Sequence, residues 1–390
     1  MQILTPDINS IKDIQLPKAT REPFSEDVMH FINALSKKLR KEPKYREFEE
    51  LVALGFWLRS SNILKLKEDF SSKYEKSIVF PRGIVFHIAP SNVDTIFLYS
   101  FVLSLLVGNH NIVRITQNYT PQIEPLLDLV VHELKNYKEL YTSTILIRYG
   151  HEDEITQELS KHCDVRVIWG GDRTINHIRT FPIKPTAIEL TFADKFSFLA
   201  LNLNNIKLDD SFFEKLYRDS FTFMQNACSS VKALCFIDAT QEQKSTFWKS
   251  FKEYVANKAP QLEGKNQIDK LIALSSLAIE KKRELSFDTY VSYITLGNLS
   301  EIDEQKHCGG GLFYDVDIKN LDELFTYSTK RHQTLSLAGI SKKELQEIFK
   351  TTNPQGFDRV VSLGKAMEFN ATWDGFEIMS SLCRVVDVDI

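Results

Sequence analysis

A two-part α/β fold is predicted by three features of this 390-residue sequence. Short apolar runs alternate with helical patterns between Ser77 and Asn202, the rhythm of parallel βαβ units. From Asp209 that rhythm slows and a second group of helices and strands begins. Turn-forming residues, Ala89-Pro-Ser-Asn92 and Gly170-Gly171, stand at strand ends, where parallel sheets bind ligands.

Residues 1–20 read as an extended arm or an early edge strand. Val28, Ile32, Leu35 and Leu39 recur at helical spacing, with Lys37, Lys38, Arg40 and Lys41 where cations suit the helix dipole. A second helix is expected over about Glu47–Leu66. Ser77–Ile88 is strand-like with Gly83 inside it, and the apolar run Thr95–Leu106 is a helix. Strands follow at Asn111–Ile115, Thr144–Tyr149, Val165–Trp169, Ala187–Phe192 and Ser197–Asn202, with helices between. Pro121 is expected at a helix's first position, where the missing N–H costs nothing. In the second part a long helix holds Phe212, Phe213, Leu216 and Phe221. Lys232–Ile237, Tyr290–Leu296, Leu312–Val316, Val360–Leu363 and Val385–Val388 are strands, and Gln241–Ala259 and Ile268–Lys281 are helices.

Composition narrows the class. The chain is 43% hydrophobic and 26% charged, with a net charge of −4, so it has neither the bias of a disordered chain nor the basic excess of a nucleic-acid binder. Cys163, Cys228, Cys235, Cys308 and Cys383 form no CxxC pair, and an odd, scattered set suits a reducing cytoplasm. The most apolar run, Thr95–Gly108, is too short to span a bilayer. GxSxG, GxxxxGK[ST] and HExxH are absent, so no metal site is expected.

Cys228 is the candidate nucleophile. It sits among small residues in Gln225-Asn-Ala-Cys-Ser-Ser230, between a helix and a strand, with room for a substrate at sulfur. On these residues alone, a buried cysteine acting as a small hydrophobe is the simpler reading. Asn92 is either an oxyanion donor or a helix cap. Arg114, Thr116 and Gln117 end a strand. They are either a solvated end or, in a dinucleotide fold, the region that meets the adenosine ribose, where an arginine and no acid favour a 2′-phosphate. Gly170-Gly171 is a plain turn or a phosphate cradle. The aromatics Phe212, Phe213, Phe221, Phe223, Trp248 and Phe251 are core or an acyl tunnel.

A resemblance binds these features together. Pro81-Arg-Gly-Ile-Val-Phe-His-Ile-Ala-Pro-Ser-Asn-Val93, Gly108-Asn-His-Asn-Ile-Val-Arg114 and Val167-Ile-Trp-Gly-Gly-Asp172 resemble the acyl-CoA reductases of the bacterial luminescence type, a branch of the aldehyde dehydrogenase superfamily. Ala227-Cys-Ser-Ser230, His332-Gln-Thr334, Gly356-Phe-Asp-Arg-Val360 and Trp373-Asp-Gly375 follow in the family's order. The resemblance implies an aldehyde dehydrogenase-like fold: an arm over 1–20, a Rossmann-type NADP-binding domain over 21–205, a catalytic thiol domain over 206–355, and a segment 356–390 packing back on the core or on a partner subunit. It implies NADPH held by Arg114, Thr116, Gly170 and Gly171. Cys228 becomes the acylated residue, and Asn92 with the Cys228 N–H the oxyanion hole.

The implied reaction is NADPH-dependent reduction of an acyl thioester, acyl-CoA or acyl-protein, to aldehyde. The implied setting is a cytoplasmic homo-oligomer with no membrane span, beside an acyl-protein synthetase partner. Glu189 precedes Lys195 at a longer spacing than the glutamate and lysine of hydrolytic aldehyde dehydrogenases, so it is only a candidate base. Two other readings stand beside this one: an aldehyde dehydrogenase working in the oxidising direction, and a non-catalytic subunit of an acyl-activating complex.

Overall fold

The computed structural model describes residues 1–390 except 9, 18, 19, 91, 92, 94, 118, 119, 261, 263, 282, 389 and 390. The chain divides into two compact units, Met1–Asp194 with Phe369–Ile390, and Lys195–Glu368.

The first unit holds strands β1 (Gln2–Thr5), β2 (Ile78–Pro81), β3 (Ile84–Ile88), β4 (His110–Ile115), β5 (Thr144–Arg148), β6 (Val165–Trp169) and β7 (Ile188–Phe192). Six of them form one sheet in the order β1-β5-β4-β3-β6-β7, parallel except for β1 at its edge. The chain starts at β3, winds outward to β5, then returns beside β3 as β6. That reversal makes a topological switch point between the carboxyl ends of β3 and β6. The helix Ile96–Leu106 is buried along its whole length, as a helix apolar all round must be.

The expected strand Ser77–Ile88 is two strands. Arg82-Gly83 breaks it, with Gly83 at φ 128°, a conformation that L side chains rarely adopt. β3 enters the main sheet, whereas β2 pairs antiparallel with the late strand Cys383–Val386. The second expected helix is also broken, into Glu49–Trp57 and Ser60–Lys73. Pro121 lies in the turn before the helix Ile123–Leu134 rather than inside it.

The second unit holds β8 (Phe196–Leu201), β9 (Val231–Ile237), β10 (Leu285–Ser286), β11 (Ser292–Leu296), β12 (Leu312–Ile318), β13 (His332–Ala338) and β14 (Arg359–Ser362). Their order is β10-β11-β12-β9-β8-β13-β14, parallel except for β10. Both faces are buried. Phe196, Phe198 and Ala200 of β8 point into one apolar cluster, while Leu199 and Leu201 point into the other, the period-two pattern of a covered sheet.

The division between the units falls at Asp194/Lys195, earlier than the expected 205/206. Ser197–Asn202 reads as the last strand of the first part, but β8 pairs with β9 and β13, in the second sheet. The segment 356–390 is shared: β14 belongs to the second unit, and residues 369–390 return to the first. There the Asn109 amide and the Arg82 N–H donate to Leu382 O, and Arg82 Nε donates to Ser381 O.

A directional chain of hydrogen bonds crosses the first sheet. Trp169 Nε1 donates to Ser100 Oγ (3.1 Å), and Ser100 lies 2.8 Å from His87 Nδ1. His87 Nε2 meets Asn111 Oδ1 at 3.0 Å, and the Asn111 amide donates to Asn109 O. Asn111 Oδ1 can only accept, so His87 carries its proton on Nε2 and receives the Ser100 hydroxyl on Nδ1. Burial holds the His87 pKa down at about 4, against an ordinary 6.5. Below pH 6.5 the unfolded chain binds a proton here that the folded chain refuses. Stability is therefore full above pH 6.5 and falls by about 1.4 kcal/mol per pH unit until the folded pKa is reached. The denaturant midpoint should drop between pH 7 and 5, and His87→Gln should flatten that slope by about one proton; an unchanged slope would remove His87 from this role.

Candidate active site

The Cys228 loop is built by two turns that face each other. The helix Asp210–Phe221, capped by the Asp209 carboxylate on Phe212 N, ends six residues before the cysteine 228 turn begins at Ala227. Met224 (φ 49°) and Gln225 (φ 62°) then adopt the left-handed conformation in succession, which costs roughly 1–2 kcal/mol per residue. The Gln225 side chain offsets this. It is buried; its amide donates to Val231 O (3.0 Å) and Leu312 O (2.9 Å), and its carbonyl accepts from Gly311 N (2.8 Å). Gly310 N donates to Met224 O at 3.0 Å. A side chain on Gly311 would collide with Tyr290 O, so the glycine is required for this approach.

The cysteine backbone is tied to the sheet. Ser197 Oγ of β8 donates to Cys228 O (2.7 Å) and accepts from Thr334 N of β13 (3.1 Å). The thiol residue itself is half-buried at the mouth of β9. Three of the four other thiols are less available, and Cys308 is half-buried like Cys228. Cys163, Cys235 and Cys383 are buried, which raises their pKa values, to about 11 for Cys163 and about 12 for Cys383. Burial also raises Cys308.

Nearby histidines serve structure. His307 Nε2 donates to Leu312 O (2.8 Å), its Nδ1 accepts from Gly309 N, and burial lowers its pKa to about 3. His332 Nδ1 accepts from Thr329 N, and its Nε2 donates to Glu304 (2.8 Å). Both nitrogens of each ring are occupied. The aromatic residues Phe212, Phe213, Phe221, Trp248 and Phe251 are packed core rather than a tunnel.

In the first unit, Gly170-Gly171 follows β6 at the switch point and starts the helix Asp172–Ile178. Gly170 N is used by Phe192 O, and the Asp194 carboxylate crowds the place where a Gly171 side chain would stand. Arg114, at the end of β4, donates to Gly150 O (2.6 Å) and lies over the Tyr149 ring. Its Nε is buried with no hydrogen-bond partner among the described residues, and desolvation lowers its pKa. Thr116 is buried next to it. The Gln117 amide and the Glu152 carboxylate close on the Gly150 turn together. A strand order reversing at β3 and β6, with a glycine turn and an arginine at neighbouring strand ends, fits a dinucleotide. Asn92 lies outside the described residues.

Glu189 is clamped. Arg166 donates to its Oε2 from Nε (2.8 Å) and Nη2 (2.5 Å), and Arg179 Nε donates to its Oε1 (2.8 Å). Arg166 is buried and also holds Phe181 O. Both carboxylate oxygens are thus engaged by charged guanidinium donors. Sequence reasoning did not identify Gln225 or Ser197 as the residues that hold the Cys228 backbone; the signal for the first was an uncharged amide three residues before the cysteine.

The acyl-CoA reductase (LuxC) family model matches residues 15–385. No curated protein matches the sequence. The fold is similar to the NAD-dependent benzaldehyde dehydrogenase of Corynebacterium glutamicum, at 12% identity over 94% of this chain and 85% of that one, TM-score 0.68. Lactaldehyde dehydrogenase from Escherichia coli is similar at 11% identity, 92% and 85% coverage and TM-score 0.67. So is the indole-3-acetaldehyde dehydrogenase AldA of P. syringae, solved with NAD+, at 9% identity, 92% and 82% coverage and TM-score 0.66. With a match across nearly its whole length, and two units of aldehyde dehydrogenase architecture, the chain belongs to the LuxC acyl-CoA reductase family.

Proposed function

We propose that this protein reduces an acyl thioester, such as a fatty acyl-CoA, to the aldehyde with NADPH, through an acyl group carried on Cys228. The observation that carries this reading is the Cys228 loop: a half-buried thiol just before a central strand, on a backbone pinned by Gln225 and Ser197, in a chain of this family.

The Cys228 thiolate attacks the thioester carbonyl and forms the new C–S bond; the carrier thiol leaves as the old one breaks. Cysteine suits both halves, since it attacks as thiolate and later departs as a good leaving group. The family's oxyanion donors correspond to the Asn92 amide and the Cys228 N–H. Arg114, Thr116 and Gly170-Gly171 are the residues that would hold the nucleotide, which supplies hydride when bound. Arg114 supports NADPH over NADH, although Glu152 places a carboxylate beside the same turn. Transfer between thiols needs no activated water, so a clamped Glu189 is no obstacle. The oxidising, hydrolytic reading does need a water-activating base, and the oxygens of Glu189 are already taken by Arg166 and Arg179.

Intact-mass spectrometry after incubation with acyl-CoA should show one acyl adduct on the wild type and on Cys308→Ser, and none on Cys228→Ser. An adduct that survives in Cys228→Ser places the nucleophile elsewhere; no adduct on the wild type with any thioester supports a non-catalytic subunit. Asn92→Ala should cut single-turnover aldehyde formation about 10²–10³-fold with an unchanged thermal midpoint; wild-type rates in that variant would take Asn92 out of the site. Glu189→Gln should keep turnover within a few-fold yet cost about 3 kcal/mol, because Arg166 is left as a buried unpaired charge. A loss of turnover without loss of stability would instead make Glu189 a base.

A further inference from the structure

Charged side chains fix the turn that follows β14 in the second unit. Asp219, on the last turn of the helix Asp210–Phe221, is buried, and its carboxylate accepts from Gly364 N (2.6 Å) and Ala366 N (3.1 Å). Arg218 donates to Gly364 O. Arg359 of β14 donates to Ala366 O and Lys365 O, both at 2.8 Å, and to Glu368 O at 2.7 Å. Lys365 and Glu368 are exposed, and the carbonyls there could bond water instead; the arginine holds them in one geometry. Burial pushes the Asp219 pKa up to about 6, a penalty opposed by the two backbone N–H donors and by Arg218 and Arg359. The side chain that this clamp places is Met367. It is half-buried, and its Sδ lies 4.0 Å from the hydroxyl of buried Ser229, the residue after Cys228. A pliable thioether fills irregular space and is only a weak hydrogen-bond acceptor, so it holds no water in place.

We propose that Asp219 is a positioning residue: through the turn it clamps, it holds Met367 on the Cys228 loop as a cover that keeps water from an acyl group on Cys228. This rests on the reading of Cys228 as the acylated thiol. Before hydride arrives, the acyl-enzyme is open to hydrolysis. Water bonds its oxygen to the acyl carbon, the carbon–sulfur bond breaks, and the Cys228 sulfur leaves with the bonding pair. Excluding water from a reactive intermediate prevents that loss. An apolar side chain beside the nucleophile does this only if its backbone stays put, which is what a carboxylate on two N–H groups and a guanidinium on three carbonyls provide.

The lifetime of the acyl-enzyme tests this. The full chain is acylated with acyl-CoA and freed of excess donor, and intact-mass spectrometry follows loss of the adduct without NADPH. Met367→Ala and Asp219→Asn should lose it about tenfold faster than the wild type, and Met367→Leu should keep it. Asp219→Asn/Met367→Ala should decay no faster than Met367→Ala alone, because Asp219 acts through Met367; a merely structural role would add its own effect. Met367 is half-buried, so Met367→Ala keeps the fold and is decisive by itself. An adduct that decays equally in the wild type and in Met367→Ala overturns the proposal and leaves the acyl-Cys228 reading standing. So does an effect of Asp219→Asn that persists undiminished in the double variant. No adduct on the wild type with any thioester overturns both.

Discussion

The second unit turns on the buried amide of Gln225. Three segments meet there: the start of β9, the start of β12 and the glycine turn that precedes β12. Each offers one backbone group that has lost water and needs a partner. A glutamine satisfies all three because its amide has two donor hydrogens and an accepting oxygen in one plane. A hydrophobic residue of similar size would remove all three bonds, leaving Leu312 O with the His307 donor alone, and each group left without a partner costs about 1–3 kcal/mol. The left-handed backbone at Met224 and Gln225 is tolerable because these bonds form only in that conformation. The cysteine, three residues on, inherits a fixed backbone position from this side chain.

The first unit solves a similar problem differently. Its central strands carry His87 and Asn111 inward where aliphatic residues would serve for packing. The chain from Trp169 through Ser100, His87 and Asn111 satisfies each donor and acceptor in turn, with one proton arrangement only. Such a network specifies register as well as stability, since a slip by one residue would turn His87 and Asn111 to the other face of the sheet. It runs from Trp169, next to Gly170, across to Asn109 and the returning C-terminal segment. The switch point thus stands on polar bonds, while Trp169 stacks on Phe192 at 3.9 Å.

Much of the layering was legible in the sequence because it depends on local periodicity. The period-two runs at β3 to β9 and the apolar helix Ile96–Leu106 fell where the pattern put them. What was hidden depends on pairing between distant residues. Nothing near Gly83 announces that β2 will leave the main sheet for a strand 300 residues later, because the partner Cys383–Val386 is equally apolar wherever it goes. The seam was misplaced for the same reason: β8 looks like any buried strand, and only its neighbours assign it to the second sheet. At the candidate site the residue types pointed to the thiol, while the company each residue keeps was unreadable. Glu189 and Arg166 are 23 positions apart, and only the parallel register of β6 on β7 sets them side by side.

That pairing bears on the chemistry. On the proposed reading, the acyl group on Cys228 has two fates, reduction or hydrolysis, and water competes at very high concentration. A free carboxylate near the thioester would activate that water. Glu189, the candidate base of the sequence, accepts three guanidinium hydrogen bonds, so both its oxygens are already engaged. To act on water it would have to give up part of that grip, which also holds β7 to β6. On the proposed reading, the two arginines that keep this acid fixed also keep its oxygens from water.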